Sequence, residues 1–307
     1  MSERRSRVWA GVDASKGHHW TAAVDETGAT LWSKKIDNDE SAILTALGEI
    51  LELAEEVHWA VDISGTSSAL LPATVVIPAD APTPKGEGIR ALGGRVVTYR
   101  RDSENRDALV AEIAARDGLA IVPSANSRHI MAGAGTAALE LLSDHPEIET
   151  LVVPVGGGGL AAGTATIAKH LQPGIKIIGV EPQGGAGTLL SMRCGQRIAL
   201  PVVPATIADG LGHTSPSPLT WAVNSRLLDH VVTVTDQDIT NAMAFAFRHL
   251  KVVAEPSGAC ALAAVLGGLI PHESGMIGVV ISGGGVDLPT FHRLISQATR
   301  RKEPARV

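Results

Sequence analysis

The sequence predicts an α/β protein whose parallel or mixed sheets carry helices on both faces. From residue 73 onward, short apolar runs alternate with segments of helical periodicity, and short glycine-containing connections separate them. The run Leu151–Val155 is apolar at every position, as expected of a parallel strand that is buried on both faces. A chain of 307 residues can bury a substantial core, so we expect two or three domains.

The composition changes sharply near residue 72. Residues 1–72 contain 6 Lys+Arg and 12 Asp+Glu, whereas the rest of the chain contains 20 of each. Four of the five tryptophans also lie within the first 59 residues. We therefore expect two modules of different origin that join near Leu71–Ala73.

Residues 1–72 predict a strand, a hairpin, a helix and a further strand. In chain order these segments are Val8–Val12, Trp20–Val24, Thr30–Ile36, Ser41–Ala54 and Val57–Ile63. Asp13 follows the first strand, and Asp62 lies near the end of the last. This order, with an acid on two strands, is typical of the start of an RNase-H-like nuclease.

Three stretches of this module, Val8–Trp20, Asn38–Glu40 and Trp59–Gly65, resemble the N-terminus of insertion-sequence transposases with a DEDD, RNase-H-like domain. The resemblance implies that Asp13 is the first metal-binding acid and that Asp62 takes the place of the second. It ends after about 65 residues, and two carboxylates alone do not build a two-metal site. The negative charge of the module also opposes binding to a phosphate backbone. We interpret the module as a structural remnant, and a nucleic-acid function is the weakest hypothesis.

Residues 73–128 predict βα units. The predicted strands are Thr74–Ile77, Arg95–Tyr99 and Leu119–Val122, and the predicted helices are Pro84–Leu92 and Ser103–Ala115. Lys85 lies at a helix start, where we interpret it as a solvated surface lysine.

Residues 129–307 continue this alternation. The predicted elements are the helix Ile130–Leu142, the strand Leu151–Val155, a helix from Leu160, the strands Lys176–Val180 and His230–Val234, the helix Gln237–Leu250 with Asp236 as its cap, the helix Cys260–Leu269, the strand Met276–Ile281 and a helix from Asp287. Ligands of such sheets bind beyond the carboxyl ends of the strands. Gly156–Gly159, Glu181, Glu255 and Ser282 fall at such ends, so we expect them to line one crevice.

Gly156–Gly159 connects a buried strand to a helix. Four glycines allow the backbone to approach a ligand closely, and the amides at the helix start favour an anion, most often phosphate. The alternative is a tight turn without a ligand. The spacing matches neither the dinucleotide fingerprint nor the P-loop.

A series of motifs runs through residues 73–300 in a fixed order. They are Thr74–Pro82, Gly133–Glu140, Pro154–Leu160, Ile178–Pro182, Thr206–Leu211, Val253–Ala259 and Ser282–Gly285. Together they resemble the threonine/serine dehydratase family of fold type II pyridoxal-phosphate (PLP) enzymes, which includes serine racemase. The resemblance implies that Gly156–Gly159 and Leu160 hold the cofactor phosphate, that Ser282 bonds to the pyridine nitrogen and that Glu255 lies nearby. It also implies β-elimination from threonine or serine, which gives a 2-oxo acid and ammonia.

The Schiff-base lysine of this family is not found. The family has it in a Ser-x-Lys-x-Arg-Gly motif before the position of Thr74–Pro82, where this chain has the transposase-like module. Lys16 lacks the Arg-Gly partners of that motif, and Lys251 is better explained as a family helix residue. We therefore assign no catalytic residue and expect turnover to be impaired by orders of magnitude.

Two further motifs depart from the family pattern. A family cation site would use Glu181 and Gly185, but Gly187 stands where an Asp is needed, so we assign no metal ligand. Ser282–Gly285 reads Ser-Gly-Gly-Gly where Ser-Gly-Gly-Asn is usual.

We therefore expect a partial RNase-H-like module (1–72), a partial small domain (73–128) and a large PLP-binding domain (129–307). The alternative to an impaired dehydratase is a non-catalytic fusion remnant that binds PLP or another phosphate ligand. The expected partners are a small hydroxy amino acid and a second copy of the chain in a homodimer. Loss of the first strands of the small domain is expected to expose apolar sheet edges.

The sequence also indicates where the protein resides. No apolar run reaches the ~18 residues of a membrane span, and the start lacks the apolar segment of a signal peptide. The two cysteines, Cys194 and Cys260, have no metal-like spacing. We expect a cytoplasmic protein without disulfides.

Overall fold

The computed structural model describes residues 5–14, 18–25, 27–37, 40–62, 73–81, 83–91, 93–271 and 275–298. The chain divides into two compact units, one of Met1–Pro123 with Ala132–Ala134 and one of Ser124–Met131 with Gly135–Val307. Among the described residues, no helix has both the length and the apolar character needed to cross a membrane.

The first unit begins with a four-stranded sheet and one helix. Its elements are β1 (Arg5–Ala14), β2 (His18–Val24), β3 (Thr30–Asp37), α1 (Glu40–Leu51) and β4 (Ala54–Asp62). The strand order is β3-β2-β1-β4, in which β1 and β2 are antiparallel and β1 and β4 are parallel. The predicted order of strand, hairpin, helix and strand is thus present, and the register pairs Asp13 with Asp62.

The same unit contains a second, two-stranded parallel sheet. Its elements are β5 (Thr74–Pro78), α2 (Thr83–Ala91), β6 (Arg95–Tyr99) and α3 (Arg106–Asp117). Asn105 caps α3 by accepting a hydrogen bond from the Ala108 amide, and Gly118 ends it with φ +66°.

The strand predicted over Leu119–Val122 is wrong. This segment forms no ladder with the described residues, and the side chains of Leu119, Ile121 and Val122 are exposed. An apolar run becomes a strand only where a sheet edge can pair with it, and the sheet of β5 and β6 is complete at two strands among the described residues.

The second unit is built on a four-stranded parallel sheet in the order β10-β7-β8-β9. Its strands are β7 (Ile148–Pro154), β8 (Lys176–Pro182), β9 (His230–Val234) and β10 (Met276–Val279). Its helices are α4 (Arg128–Asp144), α5 (Gly159–Leu171), α6 (Gly187–Cys194), α7 (Pro218–Leu227), α8 (Asp236–Phe245), α9 (Pro256–Leu266) and α10 (Leu288–Ser296), and a π-helical turn (Ala246–Leu250) follows α8.

Both faces of this sheet are buried, as the apolar run of β7 predicts. Leu151 and Val153 pack into a cluster with residues of α4 and α5, whereas Val152 packs into a second cluster with residues of α8 and α9. Neighbouring residues of a strand point to opposite faces, so a strand that is apolar throughout needs cover on both sides.

The cap predicted for α8 is also wrong. Thr235, not Asp236, begins the helix, through a capping box in which the Thr235 hydroxyl and the Asp238 carboxylate bond to each other's backbone amides. The Asp236 carboxylate instead accepts hydrogen bonds from the Thr206 hydroxyl (2.6 Å) and the Ile207 amide (3.2 Å).

Candidate functional site

The glycine loop, Gly156–Gly159, connects β7 to α5 at the carboxyl end of the parallel sheet. Gly158 precedes the helix with φ +91°, a conformation that residues with a Cβ rarely adopt. A methyl group on Gly158 would also lie 2.7 Å from Asn224 Nδ2. Both the backbone conformation and the surrounding space therefore require glycine here.

Two side chains of α7 hold the carbonyl groups of this loop. Thr220 Oγ1 donates to the Gly157 carbonyl at 2.6 Å, and Asn224 Nδ2 donates to the Gly158 carbonyl at 3.1 Å. Both side chains are fully buried. In a trans peptide the C=O and the following N–H point in opposite directions. The amides of Gly158 and Gly159 therefore point away from α7.

The backbone amides of Gly156–Leu160 donate to no acceptor among the described residues. The amides of Gly159 and Leu160 also belong to the first turn of α5, where the helix dipole adds partial positive charge. These five neighbouring residues each offer one N–H donor, and four of them are glycines, which have no side chain. Such a row of amides forms a suitable site for a phosphate group.

Ser282 and Glu255 lie at the same end of the sheet as the glycine loop. The Val280 amide donates to the Val152 carbonyl, so the chain beyond β10 still runs beside β7 and leads directly to Ser282. Glu255 precedes α9, and its amide donates to the Gly283 carbonyl at 2.9 Å. A methyl group on Gly285 would lie 3.4 Å from Glu255 Oε2, so the glycines after Ser282 let this carboxylate approach.

The turn at Gly210 lies between the glycine loop and the start of α9 and contacts both. The Gly210 amide donates to Ser257 Oγ at the start of α9, at 3.0 Å. A methyl group on Gly156 would lie 3.1 Å from the Gly210 carbonyl oxygen and equally close to His213 Cδ2. These contacts connect the glycine loop to Glu255 and to the segment that follows Ser282. The strand-end prediction is wrong for Glu255, which follows the π-helical turn after α8 and begins α9.

Sequence patterns do not identify Thr220, Asn224, Ser257 or His213 as residues of this site. The hydrogen bonds of Thr220 and Asn224 to the glycine loop span 63 and 66 residues of chain. No spacing or motif in the sequence connects such distant positions, so only the folded arrangement identifies them.

Glu181 does not contribute its carboxylate to the crevice, in contrast to our expectation. Its two oxygens accept hydrogen bonds from the amides of Thr188 and Leu189, both at 2.8 Å, and so cap the N-terminus of α6. The side chain is almost completely buried, and this burial raises the pKa of Glu181 to about 7. Within the described part of the chain, no cluster of His, Cys, Asp and Glu side chains could hold a metal ion.

The described lysines of the second unit lie away from the glycine loop or form bonds with other groups. Lys169 forms an ion pair with Asp229 at 2.9 Å, near the end of α5 that is remote from the glycine loop. Lys176 begins β8, at the amino end of the sheet. Lys251 Nζ donates to the Arg248 carbonyl at 2.6 Å on the surface.

Comparison with known proteins finds similar sequences among serine racemases and ammonia-lyases. The chain is 39% identical over 223 residues to serine racemase of Oryza sativa subsp. indica, a match that covers 71% of this chain and 65% of the relative. It is 37% identical to L-threo-3-hydroxyaspartate ammonia-lyase of Saccharomyces cerevisiae, with 74% of this chain and 69% of the relative covered. This chain thus spans somewhat less than two thirds of the rice protein.

Comparison of the fold with solved structures also finds a serine racemase. The structure of maize serine racemase superposes with a TM-score of 0.69 at 38% identity and covers 76% of this chain and 75% of that chain. The predicted α/β class with fold type II architecture is thereby confirmed.

Two family models match different parts of the sequence. Residues 10–80 match a DEDD family described as transposase, as the N-terminal motifs predict. Residues 66–283 match the family described as pyridoxal-phosphate dependent enzyme. The matched residues include the glycine loop, Glu255 and Ser282. Together with the relatives and the fold, this match shows that the chain belongs to the pyridoxal-phosphate dependent enzymes.

Proposed function

We propose that this chain binds the phosphate of pyridoxal 5′-phosphate in the glycine loop and derives from a threonine/serine dehydratase-like enzyme. The observation that carries the proposal is the row of amides from Gly156 to Leu160 that donate to no acceptor among the described residues. The family is PLP-dependent, and the donor set fits a phosphate dianion at a helix N-terminus.

We assign the remaining residues by their position and chemistry. When the cofactor binds, the Ser282 hydroxyl would donate a hydrogen bond to the pyridine nitrogen, with Glu255 nearby. The cofactor, when bound, supplies an electron sink for negative charge at the Cα of an amino acid. The names of the relatives suggest serine or threonine, that is, a small hydroxy amino acid, as the substrate class.

We further propose that β-elimination to a 2-oxo acid and ammonia is impaired. The missing lysine has two tasks in such a site, since it attaches the cofactor covalently and removes the α-proton. Lys169 and Lys251 make other contacts, and Lys176 begins its strand at the opposite end of the sheet. These positions favour the second candidate function, a non-catalytic protein that binds PLP or a related phosphate ligand.

Residues 1–72 are, in this proposal, a remnant of a transposase fused to residues 73–128 and 129–307 of the PLP enzyme. The matches to the two family models meet within residues 66–80, which supports a junction there. We propose a homodimer in the cytoplasm and no nucleic-acid function. Both cysteines are free thiols, in keeping with a reducing compartment.

Binding of pyridoxamine 5′-phosphate tests the proposed function, because this ligand has the phosphate but no aldehyde and so needs no lysine. We expect saturable binding by wild type and a loss of at least about 10-fold in affinity for Gly158→Ala, because a Cβ distorts the loop. Gly174→Ala is the matched control, since a methyl group there meets no atom within 4 Å.

A coupled assay for 2-oxobutanoate from threonine, with PLP added, tests the impairment. We expect no turnover above that of free PLP. If wild type does not bind pyridoxamine 5′-phosphate, the proposed function is wrong, and rapid turnover would contradict the impairment.

A further inference from the structure

His213 lies directly against the glycine loop. A methyl group on Gly156 would be 3.1 Å from His213 Cδ2, and one on Gly157 would be 3.3 Å from Cε1 and 3.5 Å from Nε2. Cδ2 and Cε1 are the two ring atoms bonded to Nε2. The imidazole therefore presents its Nε2 edge to the loop.

The backbone around His213 is well anchored. The His213 amide donates to the Leu211 carbonyl at 2.8 Å, directly after a 3₁₀ turn over Asp209–Leu211. The Gly210 amide within that turn donates to Ser257 Oγ at the start of α9. The ring is half-buried, so its position follows from this turn and from the loop that it contacts.

We propose that His213 is a phosphate-positioning residue, whose Nε2–H donates a hydrogen bond to the ligand phosphate beside the amides of the glycine loop. This inference rests on the proposed function and adds a side-chain donor to a site otherwise made of backbone amides. The imidazole favours the phosphorylated form of the cofactor over the form without phosphate, because only the former offers an anionic acceptor.

Two substitutions separate this role from packing. His213→Phe keeps an aromatic ring but has no donor, whereas His213→Gln loses the ring and keeps an N–H donor. His170→Phe is the matched control, since His170 is an exposed histidine in the last turn of α5, at the other end of the helix from the loop.

The test measures the affinities of all four proteins for pyridoxamine 5′-phosphate and for pyridoxamine at pH 7, by ligand fluorescence. We expect His213→Phe to weaken binding of the phosphate form by about 10-fold or more, as for a hydrogen bond to a charged group, and to leave pyridoxamine unchanged. His213→Gln should recover part of the loss, and His170→Phe should bind like wild type. The ³¹P resonance of the bound ligand should shift between wild type and His213→Phe.

Several results would overturn this assignment. Equal affinity of wild type and His213→Phe for the phosphate form shows that Nε2 makes no such bond. An equal loss for both ligands shows that the ring only packs against the loop. If wild type itself fails to bind the phosphate form, the proposed function and this inference fall together, which distinguishes that failure from the first two.

Discussion

Thr220 shows how a single residue can prepare a site that it does not contact through its own polar atoms. Its hydroxyl lies behind the glycine loop and bonds to the Gly157 carbonyl at 2.6 Å and to the Ser217 carbonyl at 3.1 Å. A hydroxyl has one hydrogen, so the shorter contact is the stronger donor bond. Because the carbonyl is held on this side, the following amide points forward to the proposed phosphate.

Replacement of Thr220 by valine tests this orientation. The substitution keeps the shape of the side chain, removes the donor and leaves the buried Gly157 carbonyl with a weak contact to the Ser217 amide at 3.4 Å. We expect the free energy of unfolding to fall by about 1–3 kcal/mol and the affinity for pyridoxamine 5′-phosphate to fall as well. Urea denaturation and ligand fluorescence measure the two effects.

Thr166→Val provides the control for that experiment. Its hydroxyl donates to the Ala162 carbonyl within α5, where the helix supplies its own hydrogen bonds. This variant should differ from wild type by less than about 0.5 kcal/mol. If Thr220→Val behaves like Thr166→Val in both measurements, α7 does not orient the loop.

At the scale of elements, α6 depends on a buried carboxylate of a neighbouring strand. Glu181 in β8 supplies acceptors for two amides at the start of this helix, which has eight residues. Burial raises the pKa of Glu181 from 4.5 to about 7 in the folded protein. The protonated folded state is therefore favoured relative to the unfolded chain, and stability is lost as the pH rises from about 4.5 through about 7.

Glu181→Gln should remove this pH dependence. The neutral amide cannot ionise, so the variant should not lose this stability as the pH rises. Between pH 4.5 and pH 8, the stability of the variant relative to wild type should therefore increase by roughly 3 kcal/mol or less. Urea denaturation at several pH values measures the difference. Glu140→Gln, at an exposed site in α4, should follow the wild-type pH profile, and parallel profiles for Glu181→Gln and wild type would show that Glu181 ionises normally.

The helices and strands also show why sequence patterns predict some elements and not others. The apolar run of β7 and the glycines after it are local signals, and the strand, loop and helix all follow. The cap of α8 is also local, but Asp236 and Thr235 both fit the pattern, and only the reciprocal bonds with Asp238 decide between them. The failure at Leu119–Val122 is different in kind, because a strand depends on a partner that the segment itself does not encode.

For the whole molecule, the sequence predicts the proposed ligand-binding residues better than the residues that support them. The glycine loop and Ser282 follow the strands β7 and β10, and parallel strands bring their ends together. Glu255 instead follows a π-helical turn and begins α9. Thr220, Asn224 and His213 reach the loop from distant parts of the chain, so no local pattern identifies them. Glu181 also follows the strand-end rule, yet its carboxylate caps α6, because only the fold shows which way a side chain turns.

We propose for the whole chain that it keeps a phosphate site but has no lysine that attaches the cofactor. Loading of the full chain with PLP, reduction with borohydride and peptide mapping by mass spectrometry test it most directly. We predict that gel filtration before reduction removes the bound PLP, and that reduction leaves no lysine labelled in proportion to the protein. Stoichiometric labelling of one lysine, such as Lys16 or Lys85, together with 2-oxobutanoate formation from threonine, would contradict the claim.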